Sequence, residues 1–284
     1  MNNCNSLEKK NKHTNDKNII LYGKKHIYYI KNSKQKYLSV TNIIDYFFPE
    51  TEFNDFRINF NKTNKGGHKN IKNTIKRKKK SKKILEKKYE IEGFKGRKIH
   101  NDIDKYLNGC EITNKSKEFS QFKSFLNNNP ELEIYRTEWL IYSKKYKIVG
   151  IVDAIFRNKK TGEFYLYDWK RIKNIYTNPN FFYNYGYYPI SNIPNLNGYH
   201  YFLQLNFYKM ILKEYDIHIS NMYICQFHPH LDNYKIVKSY NLTNDIFKLI
   251  RYIEKHNYLL KKENRKDKEE KIEFNFIKFL GKLF

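Results

Sequence analysis

Between Glu138 and Lys170 the sequence sets Glu138, Asp153, Asp168 and Lys170 into segments that are otherwise apolar and rich in β-branched and aromatic residues. Scattered acids in strands usually face solvent, and for any one of these residues a structural role is the ordinary reading. The run Ile148–Ile155, however, is apolar on both faces, as in a covered strand, where an unpaired carboxylate costs several kcal/mol. A divalent cation removes that cost. Carboxylate oxygens are hard ligands, so the acids favour Mg²⁺ or Mn²⁺ over zinc.

To act together, these side chains must be carried by paired strands. Ser-Lys-Lys and Asn-Lys-Lys-Thr-Gly break the stretch into three antiparallel strands, roughly 134–142, 147–157 and 163–170. A four-residue turn at Lys159–Gly162 places Asp153 opposite Asp168, and directly opposed residues lie about 4.5–5.5 Å apart at Cβ. A tight turn at Lys144–Lys145 predicts Glu138 opposite Ile151, on the face that carries Asp153. Asp168 and Lys170 share a face by alternation, so three acids and one lysine meet at one place on a sheet.

The chain has 284 residues, enough for one sizeable core with tails. Its 55 Lys and Arg against 29 Asp and Glu give a formal charge of +26, which attracts polyanions such as nucleic acid. The accompanying richness in Lys, Asn, Ile, Tyr and Phe also matches an AT-rich coding sequence, which inflates lysine without selection for binding. Cys4, Cys110 and Cys225 are far apart and odd in number; they indicate neither a disulfide framework nor a four-cysteine cluster and fit a reducing location. No apolar run approaches the ~18 residues of a membrane span. The polar, acid-containing start is unlike a secretory signal or an Arg-rich transit peptide.

Along the chain, residues 1–18 read as a disordered tail. IILYG, HIYYI and YLSV read as strands, with a turn at Asn32–Gln35, and Thr41 caps a short helix that Pro49 ends. Residues 50–70 are polar and give no pattern. A helical, strongly basic stretch through Lys76–Lys83 is a solvated face, a nuclear import signal or a phosphate-contacting helix. After it, Gly96 to Gly109 reads as a helix with Ile99, Ile103 and Leu107 in a stripe bordered by His100; a lone histidine there is more often a satisfied core residue than a ligand. A further helix, about 116–128, leads to the strand carrying Glu138. Residues 171–198 lack periodicity, and Phe181, Phe182, Tyr183, Tyr185, Tyr187 and Tyr188 within them either stack on unpaired bases or pack on the core. A buried helix follows, with Gln204 and Tyr208 on one face, and a buried glutamine needs a partner. A hairpin around HPHLDN carries His228 and His230, read as a turn tip rather than a metal pair. A helix over 243–262, a charge run and the apolar tip FNFIKFLGKLF close the chain. No phosphate-binding GxxxxGK[ST] loop is present.

The pieces GRKIH, Glu138, GIVDAIF, YDWKR and QLNFY, spread over roughly residues 96–210 with YLSVTNIIDYFFP upstream, resemble the RecB-like branch of the PD-(D/E)XK nuclease superfamily, whose stand-alone exonucleases include mitochondrial and large-DNA-virus members. No single piece is specific; their order and spacing carry the resemblance. The position after Gly96 departs from the family pattern, with Arg97 in place of threonine. The resemblance implies an α/β, restriction-endonuclease-like fold, a central mixed β-sheet flanked by α-helices, filling residues 19–262 between the tail and a charged linker with an apolar tip at 263–284. It implies catalytic roles for Glu138, Asp153, Asp168 and Lys170, and Mg²⁺ or Mn²⁺ held by His100, Asp153, Asp168 and the Trp169 carbonyl, with Glu138 assisting a second ion or holding the water network. Gln204, Tyr208 and Arg171 are implied on the substrate side, Gln204 and Tyr208 either binding the DNA strand or steadying Lys170. The expected activity is hydrolysis of DNA phosphodiester bonds, as an exonuclease on single-stranded or end-containing DNA in repair, recombination or replication. A structure-specific endonuclease on flaps, junctions or RNA, and a catalytically silent nucleic-acid-binding protein, stand as alternatives. An intracellular site, nuclear or cytoplasmic, with a virus-encoded origin among the readings, and a protein partner for the C-terminal tip complete the expectations.

Overall fold

Short polar stretches alternate with apolar ones along the whole chain, and the apolar ones become the framework. The computed structural model describes residues 6–17, 19–22, 27–30, 36–49, 71–177 and 184–256. A helical turn α1 (Leu7–Lys10) and a 3₁₀ turn (Thr14–Lys17) precede three short strands, β1 (Ile19–Tyr22), β2 (Ile27–Ile30) and β3 (Lys36–Ser39). Helices α2 (Val40–Tyr46), α3 (Ile71–Leu107) and α4 (Lys117–Asn128) come next. Then follow β4 (Leu132–Ser143), β5 (Ile148–Asn158), β6 (Phe164–Lys170), α5 (Asn197–Lys213), β7 (Ile219–Gln226), β8 (Lys235–Lys238) and α6 (Thr243–His256). Among the described residues no helix is long and apolar enough to cross a membrane.

The strands form one mixed sheet in the order β1-β2-β3-β5-β6-β7-β8, with β4 paired to β5 off that path. Strands β3 and β5 run parallel, as do β6 and β7; the other pairs are antiparallel. A parallel pair needs a crossover, and α5 lies on the one between β6 and β7. Strand β5 forks. One edge pairs with β4 along its length, while the other pairs with β3 at Ile148–Val149 and with β6 from Ala154 to Arg157. Residues 150–153 lie in the gap between β3 and β6.

Helices cover both faces, as strand alternation requires. Leu166, Met222 and Ile224 pack under α2, α5 and α6, whereas Tyr167, Trp169 and Cys225 pack with Ile99 and Ile103 of α3 and Phe119, Phe122 and Phe125 of α4. Each such ring removed from water stabilises the fold by about 1.5–3 kcal/mol. The three expected strands thus form within two residues of their expected bounds, and the register set by the Ala154–Tyr167 pair, where the ladder ends, brings Asp153 level with Asp168 at the next step.

Several expectations need correction. The connection between β4 and β5 is four residues long, with Ser143 paired to Ile148 and Lys147 at φ +57°, so Glu138 lies opposite Asp153 rather than Ile151. The cap of α2 is Ser39, whose hydroxyl accepts from the Asn42 N–H, not Thr41. The two helices expected on either side of Gly96 are one, α3, 37 residues long; a helical glycine costs only about 1 kcal/mol, and the docked Ile99 and Ile103 outweigh it. Cys110 is disulfide-bonded, which the wide spacing and odd number of the cysteines do not suggest, while Cys225 is free and buried.

Residues 6–17, read from composition as disordered, form an ordered strap on β4. Asp16 is buried against Arg136 at 2.9 Å and accepts from Trp139 Nε1 at 2.7 Å. Burial alone would raise the Asp16 carboxyl, but hydrogen bonds from Arg136, the His13 N–H and Trp139 hold it below the usual range. His13 stacks on Tyr215 at 4.5 Å. The side chains of the basic run Lys76–Lys83, the aromatic residues 181–183 and the C-terminal tip lie outside the described residues.

Candidate active site

His100 sits two turns from the end of α3, next to Ile99, whose burial with Ile103 fixes the helix's rotation. The imidazole therefore faces the sheet. Its Nε2 lies 2.8 Å from the Trp169 carbonyl oxygen, and its Nδ1 lies 3.7 Å from Glu138 Oε1 and 3.5 Å from Asp153 Oδ2. Ligand atoms of His100, Glu138 and Asp153 all fall within 4.8 Å of one another. Three chain segments separated by tens of residues thus bring one nitrogen and two carboxylates to a point.

The fork in β5 makes the room. Where ladder pairing with β6 stops, Asp153 Oδ2 takes the backbone N–H of Trp169 at 2.8 Å, so a side chain replaces the missing strand partner. Asp153 and Asp168 are 8% and 1% exposed and form the floor, while the side chains of His100 and Glu138 are 25% and 37% exposed and form the mouth. Glu138 holds φ at +41°, a left-handed conformation that L residues seldom adopt in a strand.

Helix α5 closes the floor from the other side. Tyr201, Gln204 and Tyr208 share a helix face by their spacing of three and four. Gln204 Nε2 donates to Asp168 Oδ1 at 3.3 Å and to the Tyr208 hydroxyl at 2.8 Å. That hydroxyl also accepts from the backbone of Ile151, inside the fork. Lys170 Nζ reaches Asp168 Oδ2 at 2.7 Å and lies 4.7 Å from the centre of the Tyr201 ring. Among the described residues, Asp168 Oδ2 is the buried side-chain oxygen with no aligned hydrogen bond; the ammonium beside it supplies charge but not a well-directed donor.

Gly150 explains why the sequence reads GIVDAIF. A Cβ there would lie 2.2 Å from Tyr208 Cε1, so only glycine lets the ring into the fork. Gly150→Ala is expected to destabilise the protein by about 1–3 kcal/mol as Tyr208 is pushed back. Urea unfolding measures this, and an unchanged midpoint would show that the ring does not fill the gap.

The electrostatics favour a cation. Burial pushes the Lys170 ammonium down, but Asp168 and Asp153 outweigh it and hold its pKa above the ordinary lysine range. Burial raises the Asp168 carboxyl, and Asp153 adds to the effect despite the Lys170 charge. Burial lowers the His100 imidazole, yet Asp153 and Glu138 bring it up to about 9. Three carboxylates against one ammonium leave two negative charges, which match one divalent ion when His100 is neutral. The donor set fits a hard or borderline divalent ion: His100 turns Nδ1 to the Glu138 and Asp153 carboxylates while its Nε2 N–H donates to the Trp169 carbonyl, the usual second hydrogen bond of a ligating imidazole.

Not every expected residue joins the site. Arg171, expected on the substrate side, is instead turned to the helices, where its Nε meets Glu118 Oε1 at 2.6 Å and its NH1 pairs with Glu92. Its donors tie α3 to α4, and its side chain is 7% exposed. His228 and His230 lie together at the hairpin tip, with ring centres 5.1 Å apart, and join no cluster of metal-ligand type among the described residues. Two contributors lack a strong sequence signal: Tyr201, whose only mark is its spacing of three from Gln204, and Gly150, whose need appears only with the opposing ring.

No protein-family model matches the chain, and no curated protein matches it. Among solved structures it is similar to the crystal structure of SSO0001, with 15% identity over 80% of this chain and 76% of that one and a TM-score of 0.31.

Proposed function

We propose that this protein is a metal-dependent DNA nuclease of restriction-endonuclease-like fold that hydrolyses phosphodiester bonds from the ends of DNA strands. The observation that carries the reading is the convergence of His100, Glu138 and Asp153 beside the ion pair of Lys170 with the buried Asp168. The formal charge of +26 favours a polyanionic substrate, and the family resemblance of the motifs favours DNA with free ends.

His100, Asp153, Asp168 and the Trp169 carbonyl would hold the ion, with Glu138 at the open side. A bound Mg²⁺ or Mn²⁺ supplies Lewis acidity to the phosphate and lowers the pKa of water beside it. Lys170 is held protonated, so it works as a fixed positive charge that orients the attacking water and offsets charge on the phosphoryl oxygens, not as a base. Asp168 and Tyr201 hold that ammonium in place, and Gln204 fixes Asp168. With an imidazole among the donors, Mn²⁺ is expected to serve at least as well as Mg²⁺.

The direct test is end-labelled linear single-stranded DNA with Mg²⁺ or Mn²⁺, against the same DNA with a chelator and against circular single strands. Cleavage of the linear DNA alone, abolished by the chelator, is the expected result. Cleavage of circles would move the assignment to an endonuclease, and salt-sensitive binding without cleavage would move it to a binding protein.

His100 predicts a pH dependence. In the ion-free protein its pKa is raised to about 9 from an ordinary 6.5, so the imidazolium stabilises the fold fully below ~6.5 and this contribution is lost as pH rises through 9. A metal ligand must be neutral, so the proton competes with the ion below 9. At pH 7.5 each Mn²⁺ bound is expected to release about one proton, seen as calorimetric heats that change with the buffer's ionisation enthalpy. Buffer-independent heats would remove His100 from the ligand set.

A further inference from the structure

Glu138 interrupts the alternation of β4. In a regular strand neighbours face opposite ways and residues three apart also lie on opposite faces. Here Arg136 and Trp139, three apart, both contact one carboxylate, that of Asp16. Between them, the consecutive Thr137 and Glu138 both face α3: Thr137 Oγ1 donates to Asp104 Oδ1 at 2.6 Å, and Glu138 Oε1 lies 3.7 Å from His100 Nδ1, one helical turn earlier. The positive φ of Glu138 is what permits this arrangement.

Everything that flanks the irregular residue is tied to the strap. Arg136 donates to Asp16 Oδ2 at 2.9 Å and to the Asn11 carbonyl at 2.8 Å, and its guanidinium carbon lies 4.3 Å from the centre of the Trp139 ring. Trp139 Nε1 donates to Asp16 Oδ1. On the other side Asn108 accepts from the Leu7 N–H at 2.9 Å and donates to both Thr137 Oγ1 and Asp104 Oδ1. The side chains of Asp16 and Arg136 are 6% and 5% exposed, so the pair is fixed rather than solvated.

We infer that residues 6–17 act as a positioning clamp in which Asp16, by gripping Arg136 and Trp139 at once, holds Glu138 in its left-handed conformation with its carboxylate at the His100–Asp153 site. The clamp gives an otherwise unremarkable polar N-terminal segment a part in cation binding. It rests on the reading of that site as a metal centre, and Asp16 works through Glu138 without touching the ion or substrate.

The test pairs two measurements on the full chain. Asp16→Asn keeps the shape and removes the charge that holds Arg136, and Trp139→Phe removes the Nε1 donor to Asp16 together with part of the ring that Arg136 lies over. Crystal structures of both are expected to show Glu138 returned to an extended φ, with its carboxylate withdrawn from His100. Mn²⁺ titration should show binding weakened roughly tenfold by Asp16→Asn, as for loss of a supporting contact behind a ligand, and less by Trp139→Phe. In a Glu138→Ala background the same Asp16→Asn change should cost under about twofold, because the residue it positions is gone. A purely structural strap would lower the melting temperature yet leave Glu138 in place, or weaken Mn²⁺ binding equally in both backgrounds; either result overturns the inference. A wild-type protein that binds no Mn²⁺ would sink the nuclease reading instead, and the position of Glu138 in the two crystal structures would then decide the clamp by itself.

Discussion

Asp153→Asn is expected to fold like the wild type and to cleave DNA about 10³-fold more slowly or worse, a loss of ~4 kcal/mol in transition-state stabilisation. The substitution separates structure from chemistry. Asn keeps an oxygen that can accept the Trp169 N–H, so the side chain that stands in for a strand partner at the fork survives. What disappears is the negative charge nearest His100 Nδ1, at 3.5 Å, and with it the donor a hard cation prefers. The His100 pKa should fall as well, since Asp153 is the largest influence raising it. Rates on end-labelled single-stranded DNA, with circular dichroism melting as the control for folding, measure the effect. A rate within tenfold of wild type in a folded variant would remove Asp153 from the chemistry.

Lys170→Met is expected to give a different pattern: kcat lower by about 10²–10³-fold, the size of losing one preorganised electrostatic donor, with Mn²⁺ binding undiminished. The ammonium, its side chain 18% exposed, lies 2.7 Å from the buried Asp168 and repels any cation brought to the same floor, so its removal takes away a positive charge without taking away a ligand. Stability of the ion-free protein should drop by roughly 3–5 kcal/mol, because Asp168 is then left buried without its counter-charge. Added Mn²⁺ should restore part of that. Single-turnover rates together with Mn²⁺ titration test the split, and a variant whose whole defect is repaired by more Mn²⁺ would mean that Lys170 serves only to assemble the site.

Asp153, Asp168 and Lys170 were legible because strand alternation and one short turn determine which side chains share a face. Asp153 stands opposite Asp168 for the reason that Lys159–Gly162 is a four-residue connection, and such connections are marked by their own residues. Glu138 was placed two residues out of register because the loop from β4 to β5 carries Lys147 at positive φ, a conformation lysine does not advertise. The strap was illegible for a related reason. A polar segment reads as disordered unless its partners are known, and Arg136 and Trp139 lie more than a hundred residues from Asp16. Arg171 follows YDWK directly and invites a substrate role, yet Glu92 and Glu118, distant in sequence, claim its donors. Long-range pairings of this kind leave no local pattern.

The position of α5 bears on when the acidic cluster is enclosed as the chain is made. His100 through Lys170 leave the ribosome before the helix that shelters them, and β7, which flanks β6 on its far edge, comes later still. Until Tyr201, Gln204 and Tyr208 arrive, Asp168 and Lys170 are hydrated, and water weakens their field. A nascent chain therefore carries these groups open to water until the crossover through α5 shelters them, and β7 then completes the edge of β6.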